Sequence, residues 1–162
     1  MALSLACGPT RIDGYAPIRD YAVIGNKRTA ALVALDGAID WLALPAFNGP
    51  SVFAAVLDAR RGGGCALAPV GPFTTRREYL AGTNVLQTTF ETADGVVRVT
   101  DAMSRPLART LLWNQIIRRV DGLAGRVRLR WSVEPRFEYG AGPGRAQRRG
   151  GIPLFVSGHD VL

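Results

Sequence analysis

The chain has 162 residues, of which 48% are hydrophobic, and a formal net charge of +7. This length and composition argue against a disordered chain and predict one domain that buries a core without disulfides or metals. Lys27 is the only lysine, so arginine supplies nearly all the positive charge. We therefore give the basic composition little weight as a sign of nucleic-acid binding.

Several classes of site have little support in the sequence. Cys7 and Cys65 have no Cys or His partner at metal-ligand spacing, and the one histidine, His159, lies near the C-terminus. We expect no metal site, no cofactor and no Ser/His/Asp triad. No apolar run approaches the ~20 residues that span a membrane. Reduced thiols and a cytoplasmic location are expected.

Three segments repeat one pattern, in which an apolar run, an Asp-Gly turn and a second apolar run follow each other. Both residues of Asp-Gly tolerate the positive φ of a type I′ turn, so the pattern predicts hairpins. They span Ala30 to Leu44 with a turn at Asp36-Gly37, Asn84 to Met103 with a turn at Asp94-Gly95, and Leu112 to Val133 with a turn from Asp121 to Gly125.

A short helix is predicted between the first two hairpins. Ser51 follows Pro50 and is a good N-cap, and apolar residues continue at helical spacing from Val52 to Leu57. Arg60, Arg61 and two glycines end it.

The return strand of the third hairpin alternates most clearly. Val127, Leu129, Trp131 and Val133 are predicted to form a core face. The opposite face forms a basic stripe of Arg126, Arg128 and Arg130 with Arg118 and Arg119. Such a stripe can bind phosphates, stay solvated or contact another domain, and we expect no nucleic-acid partner.

The C-terminal part is rich in glycine and arginine from Gly140 to Gly151, which predicts a flexible loop before a further strand at Ile152 to Val156. Together the elements predict an all-β, antiparallel β-sandwich with one short helix.

Four segments carry a family resemblance: DYAVIGNKRTAALVALDGAIDWLALPAFNGPSVFAAVLD from Asp20 to Asp58, then Tyr79 to Leu86, Thr89 to Gly95 and Pro135 to Gly140. Their ordered motifs resemble the N-terminal domain of family 15 glycoside hydrolases, which includes glucoamylases, glucodextranases and trehalases. The resemblance implies an N-terminal tail at 1–17, a supersandwich-like domain at 18–140, and a loop with a possible last strand at 141–162.

The resemblance also implies a larger protein, in which an (α/α)6 barrel follows the sandwich. Two glutamates in that barrel would act as general acid and general base in hydrolysis with inversion. No residue here matches them, so we expect a chain that ends before the barrel and is inactive alone. The expected partners are a catalytic barrel and an α-glucoside sugar, with no membrane. The alternatives are a stand-alone carbohydrate-binding or protein-interaction module and a truncated remnant.

The chain's own glutamates are expected to be solvated surface residues. They are Glu78, Glu91, Glu134 and Glu138.

One loop departs from the family pattern. Where the family has Pro-Arg-Phe-Asp-Ser, this chain has Pro45-Ala46-Phe47-Asn48-Gly49, which loses a guanidinium and a carboxylate. We predict a domain-interface or substrate-side surface formed by Asp40, Trp41, Pro45, Phe47, Pro50 and Ser51. Alternatively, Trp41 is a core aromatic beside a turn satisfied by Asp40, and the loop leads only into the helix.

Overall fold

Two antiparallel sheets face each other, and a third, small sheet follows them along the chain. The computed structural model describes residues 9–104, 114–141, 144–158 and 160–162. Its strands are β1 (Tyr21–Gly25), β2 (Ala30–Ala34), β3 (Ala38–Ala43), β4 (Ser51–Phe53), β5 (Gly64–Pro69), β6 (Thr74–Tyr79), β7 (Leu86–Thr92), β8 (Gly95–Met103), β9 (Ile116–Gly125), β10 (Leu129–Glu134), β11 (Arg145–Arg149), β12 (Ile152–Ser157) and β13 (Asp160–Val161). The predicted all-β sandwich is confirmed.

The first sheet has the order β1-β2-β3-β5-β10, with β4 paired to β3. The second sheet is a meander of four strands, β6-β7-β8-β9. The strands β11, β12 and β13 form the third sheet. After β9 the chain therefore returns to the first sheet, where β10 lies beside β5.

Alternating side chains bring the two large sheets together. On β8, for example, Val97, Val99, Asp101 and Met103 are buried while their neighbours are more exposed. Two apolar clusters fill the space between the sheets, one around Ile24, Ile39, Leu42, Leu86 and Met103 and one around Leu67, Phe73, Phe90, Val97 and Val99.

The first two predicted hairpins are present. β2 pairs with β3 and β7 with β8, both antiparallel. Gly37 has a φ of 86°, and a Cβ there would come 2.4 Å from the backbone oxygen of Leu67. The glycine is thus required both by the turn and by the close strand.

The third predicted hairpin is wrong. β9 pairs with β8, and β10 pairs with β5 in the other sheet. The Asp121-Gly122 pair lies inside β9, where the register to β8 shifts at Val96/Val97 and leaves Leu123 as an extra residue. This Asp-Gly therefore accompanies a β-bulge. The predicted start at Leu112 lies outside the described residues.

The helix predicted after Pro50 is also wrong. Ser51 to Phe53 form β4, whose three residues are all buried, and turns follow it. The backbone N–H of Ala54 donates to the carbonyl of Gly62 at 2.8 Å. Strand pairing and burial on the core thus outweigh the local helical spacing.

The helical elements of the described chain lie elsewhere. A 3-10 turn spans Ile18–Asp20, and a short helical turn, α1, spans Phe137–Gly140, within which Glu138 and Tyr139 have left-handed rather than right-handed helical angles. The predicted loop from Gly140 to Gly151 contains β11, while the strand expected at Ile152 to Val156 is confirmed as β12.

Candidate functional site

Two concave surfaces stand out, and the first lies between the sheets. This inner groove has a volume of about 540 Å³. Its lining is mainly apolar and comes from both sheets: Ile39, Leu42, Leu44, Phe53, Cys65, Leu67, Met103, Asn114, Gln115, Ile116, Arg118, Val120, Trp131, Val133 and Leu162.

The inner groove is open where both large sheets end. β10 is the last strand of the first sheet and β9 the last strand of the second. Trp131 of β10 lies on the inward side with Val133, as the alternation predicts, and both line the groove. Trp131 is nevertheless 67% exposed, so its expected burial in the core is wrong. Facing the interior does not bury a side chain at an uncovered edge.

A buried ion pair lies on the inward face of the second sheet. Arg118 donates to Asp101 at 2.8 Å from Nε and 3.2 Å from Nη2. It also donates to the carbonyl oxygens of Gly37 and Cys65 in the first sheet at 2.7 and 3.2 Å. The Arg118 and Asp101 side chains are 8% and 1% exposed. One guanidinium therefore links the two sheets.

The contact with Asp101 favours the charged form of Arg118. Burial lowers the pKa of Arg118, but the hydrogen bond and charge of Asp101 outweigh it, so the pKa is raised overall.

The predicted basic stripe does not exist as one surface. Arg118 is buried, whereas Arg119 is exposed and pairs with Asp121 at 2.7 Å. Arg126 and Arg128, between β9 and β10, and Arg130, within β10, are exposed. The arginines lie on different sheets and faces because β9 and β10 do not pair.

The second concavity, the outer pocket, lies on the opposite face of the first sheet. Its volume is about 590 Å³. Small residues of β3 and β5 form its floor, namely Ala38, Gly64, Ala66 and Ala68, and its charged rim consists of Arg11, Asp36, Asp40, Arg60, Glu134 and Arg136. The floor residues alternate with core residues such as Cys65 and Leu67, so they face outward.

A hydrogen-bonded cluster forms one wall of the outer pocket. Arg11 Nε lies 2.6 Å from Asp36 Oδ2, and its Nη1 lies 2.9 Å from Asp40 Oδ2. The Tyr21 hydroxyl donates to the same Asp40 oxygen at 2.6 Å. Three segments far apart in sequence thus meet at Asp40, whose side chain is 4% exposed.

These contacts raise the pKa values of two side chains, Tyr21 and Arg11. Burial and the hydrogen bond to Asp40 raise the pKa of Tyr21 above its ordinary value. Burial lowers the pKa of Arg11, but the hydrogen bonds to Asp36 and Asp40 raise it by more. In this wall the charged Arg11 lies between the carboxyl groups of Asp36 and Asp40. The Tyr21 hydroxyl keeps its proton, which it donates to Asp40.

Of the predicted surface residues, Asp40 belongs to this cluster, whereas the adjacent Trp41 packs near Tyr139. Trp41 is half-buried, and its ring centroid lies 6.1 Å from that of Tyr139. Glu138 and Tyr139 have positive φ values of 53° and 60°, a conformation that costs energy in non-glycine residues and needs support from its surroundings. The Tyr139 backbone N–H donates to Ser51 Oγ at 2.8 Å.

The rest of the predicted loop is held by backbone contacts. Leu44 N–H donates to the Pro50 carbonyl at 3.1 Å, and Phe47 N–H to Arg28 at 2.9 Å. Asn114 Nδ2 donates to the Pro45 carbonyl at 2.9 Å. The Phe47 side chain is 62% exposed. The structure brings Trp41 and Ser51 together through Tyr139, and the interface role of the six residues stays a prediction.

Sequence reasoning missed Arg11, Tyr21 and Arg118 as organising residues. Arg11 falls in the predicted tail at 1–17, yet it pairs with residues 25 and 29 positions away. No local pattern signals such a contact. The four glutamates expected on the surface are exposed.

Metal-binding clusters and membrane-spanning helices are both absent from the described ranges. No group of three or more His, Cys, Asp or Glu there is placed to bind a metal. No helix in that part of the chain is long and apolar enough to cross a membrane. Cys7 and His159 lie outside the described residues.

Comparison with known proteins points to one family. The family model described as "Trehalase-like, N-terminal" matches residues 12–159. A trehalase of Mycolicibacterium smegmatis is 35% identical over 150 residues, which is 83% of this chain and 22% of the relative. Trehalases of Mycobacterium tuberculosis (36%; 86% of this chain, 22% of the relative) and Thermoplasma volcanium (34%; 80% and 21%) are similar. The chain thus spans about a fifth of these relatives' length. No solved structure matches.

Proposed function

Because the chain belongs to the trehalase-like, N-terminal family, we propose that it is the non-catalytic β-sandwich module of a hydrolase of α-glucosidic bonds. The parent enzyme would be of the trehalase type, within glycoside hydrolase family 15. The module would bind and orient the region that carries the chemistry.

The open inner groove is the observation that carries this proposal. An inward-facing tryptophan that is 67% exposed beside an apolar groove is costly to leave in water. The proposed occupant is the remainder of a trehalase, since the similar trehalases are several times longer than the segment they share with this chain. An apolar segment of that remainder would cover β9, β10 and Trp131.

The arrangement of carboxylates agrees with a non-catalytic role. Inverting glycosidases hold two carboxyl groups ~6.5–9.5 Å apart across the scissile bond. Here Glu78, Glu91, Glu134 and Glu138 are exposed on three strands and a turn. Asp36 and Asp40 are occupied by Arg11. We place both catalytic carboxyls in the remainder of the enzyme.

A chimera tests the proposal. This chain would replace the matched segment of the Mycolicibacterium smegmatis trehalase, and glucose release from trehalose would be measured. We expect activity in the chimera and none in the isolated chain. Trp131→Ser would reduce the chimera's activity, whereas Arg130→Ser, an exposed neighbour on the opposite face, would not. Hydrolysis by the isolated chain, lost in Glu134→Gln or Glu138→Gln, would contradict the proposal.

A second candidate function is a stand-alone sugar-binding or protein-interaction module. The outer pocket favours it, because it lies on the face away from the inner groove and has a polar rim. Sugar binding by the isolated chain would not by itself exclude the first function. The cytoplasmic location stays a prediction.

A further inference from the structure

We propose that the outer pocket is a binding site for a neutral polyol, specifically one glucose unit of an α-glucoside. The choice of a glucoside among polyols rests on the proposed function, whereas the site itself rests on the geometry of the pocket. The proposed ligand site is separate from the inner groove and from the catalytic region proposed for the rest of the enzyme.

The pocket exists because its floor lacks large side chains. Ala38 and Ala66 are directly paired across β3 and β5, and Gly64 and Ala68 continue the same outward face. The volume of about 590 Å³ falls within the range of small-molecule sites. A polar ligand can therefore approach the backbone of the sheet closely.

One carboxylate oxygen in the wall of the outer pocket is available to a ligand. Within the described residues, Asp40 accepts both of its side-chain hydrogen bonds through Oδ2, from Arg11 and Tyr21. No bond to Oδ1 is formed in that part of the chain, and this oxygen is not one of the fully buried polar atoms there that lack a partner, so it keeps contact with solvent. Oδ1 lies towards Gly64, where an added Cβ would be 3.8 Å away. An open acceptor on a side chain that is otherwise held in place can accept a hydrogen bond from a ligand hydroxyl.

The charge of the rim favours a neutral ligand. Three guanidinium groups, on Arg11, Arg60 and Arg136, face three carboxylates, on Asp36, Asp40 and Glu134. Because the rim has no net formal charge, it attracts an ion only weakly. It nevertheless provides hydrogen-bond donors and acceptors for the hydroxyl groups of a neutral ligand. Arg60, Glu134 and Arg136 make no side-chain hydrogen bond within the described ranges, so they are available to a ligand.

Calorimetric titration of the full 162-residue chain with trehalose, and separately with maltose, tests the site. We expect saturable binding of at least one sugar. Glu134→Gln would weaken it about tenfold, the effect of losing one charged hydrogen bond. Ala66→Leu would abolish it by filling the floor. The controls are Glu78→Gln, an exposed strand glutamate, and Ala102→Leu, a half-buried strand alanine on the other sheet.

Three results would overturn the site: no saturable heat with either sugar, unchanged binding in a folded Ala66→Leu variant, or protection of the pocket by polypeptide in the chimera. Trp131→Ser separates the two proposals. This variant should bind sugar like the unchanged chain while it reduces the activity of the chimera. The sugar site and the docking groove can therefore be disproved independently of each other.

Discussion

The inner groove and the outer pocket lie on opposite faces of the first sheet and have similar volumes, about 540 and 590 Å³. The groove is lined by large apolar side chains, with one ion pair closed off inside it. The pocket has a floor of small residues and a balanced, partly unsatisfied charged rim. Similar volumes thus suit different occupants: apolar polypeptide gains from desolvation in the groove, and a hydroxylated small molecule gains from hydrogen bonds in the pocket.

Asp101→Ala is the largest expected perturbation. It would leave Arg118 charged and unpaired in the groove, which costs about 3–5 kcal/mol of the free energy of unfolding. Denaturant unfolding measures this. Asp121→Ala, which removes the partner of exposed Arg119, should cost less than ~1 kcal/mol. Equal costs for the two substitutions would mean that the Arg118–Asp101 pair is solvated and not shielded from water.

Arg11→Met tests the wall of the outer pocket. It would remove the partner of the buried Asp40 while keeping an apolar stem, and we expect a loss of about 1–3 kcal/mol in denaturant unfolding. Arg19→Met, at an arginine whose side chain is 86% exposed, is the matched control. If Arg11→Met behaves like the control, residue 11 belongs to an unanchored tail after all.

Tyr21→Phe tests a difference in charge between the two surfaces. In the wall of the outer pocket, burial and the contact with Asp40 raise the pKa of the Tyr21 hydroxyl, whereas no tyrosine lines the inner groove. The folded chain binds the Tyr21 proton more tightly than the unfolded chain, so the stability present below pH 10 falls as the pH rises above the ordinary tyrosine pKa of 10.0. The phenylalanine variant should lose stability less steeply as the pH rises from about 10 to 11. One proton limits the difference to ~1.4 kcal/mol per pH unit, and screening of the partly exposed hydroxyl by solvent should keep it below that limit.

The same unfolding curves at each pH would decide the Tyr21 prediction. Tyr15→Phe, a tyrosine outside the cluster, is the control. Parallel pH profiles for the wild-type chain and Tyr21→Phe would show that the Asp40 contact does not retain the proton.

Trp131→Ser should have the smallest effect on the isolated chain. Because 67% of the residue is already exposed, we expect a change within about 0.5 kcal/mol. Phe90→Ala, at an aromatic of 0% exposure, should cost about 3–5 kcal/mol. A large loss for Trp131→Ser would mean that the groove closes on itself in solution.

The sequence predicted those features that depend on neighbouring residues. Asp36-Gly37 and Asp94-Gly95 identified two hairpins, and alternation identified the inward side of Trp131. Alternation could not tell that β9 and β10 join different sheets, because Asp121-Gly122 suits a bulge as well as a turn. The exposure of Trp131 depends on what lies beyond the sheet edge.

The candidate site was less predictable than the fold. Asp40 was singled out for its motif, but its partners Arg11 and Tyr21 come from segments 29 and 19 residues away. The helix predicted at Ser51 failed for a related reason, since β4 is stabilised by pairing with β3 and by burial. Neither contact leaves a local signature in the sequence.

Hydroxyl-radical footprinting of Trp131, read by mass spectrometry, tests directly whether the catalytic region docks in the inner groove. The isolated chain would be compared with the active chimera, with exposed Leu57 as an internal reference and Phe47 reporting on the predicted loop. We expect Trp131 to be oxidised readily in the isolated chain and protected in the chimera, while Leu57 is unchanged. Equal oxidation of Trp131 in both proteins would contradict docking of the catalytic region in the inner groove.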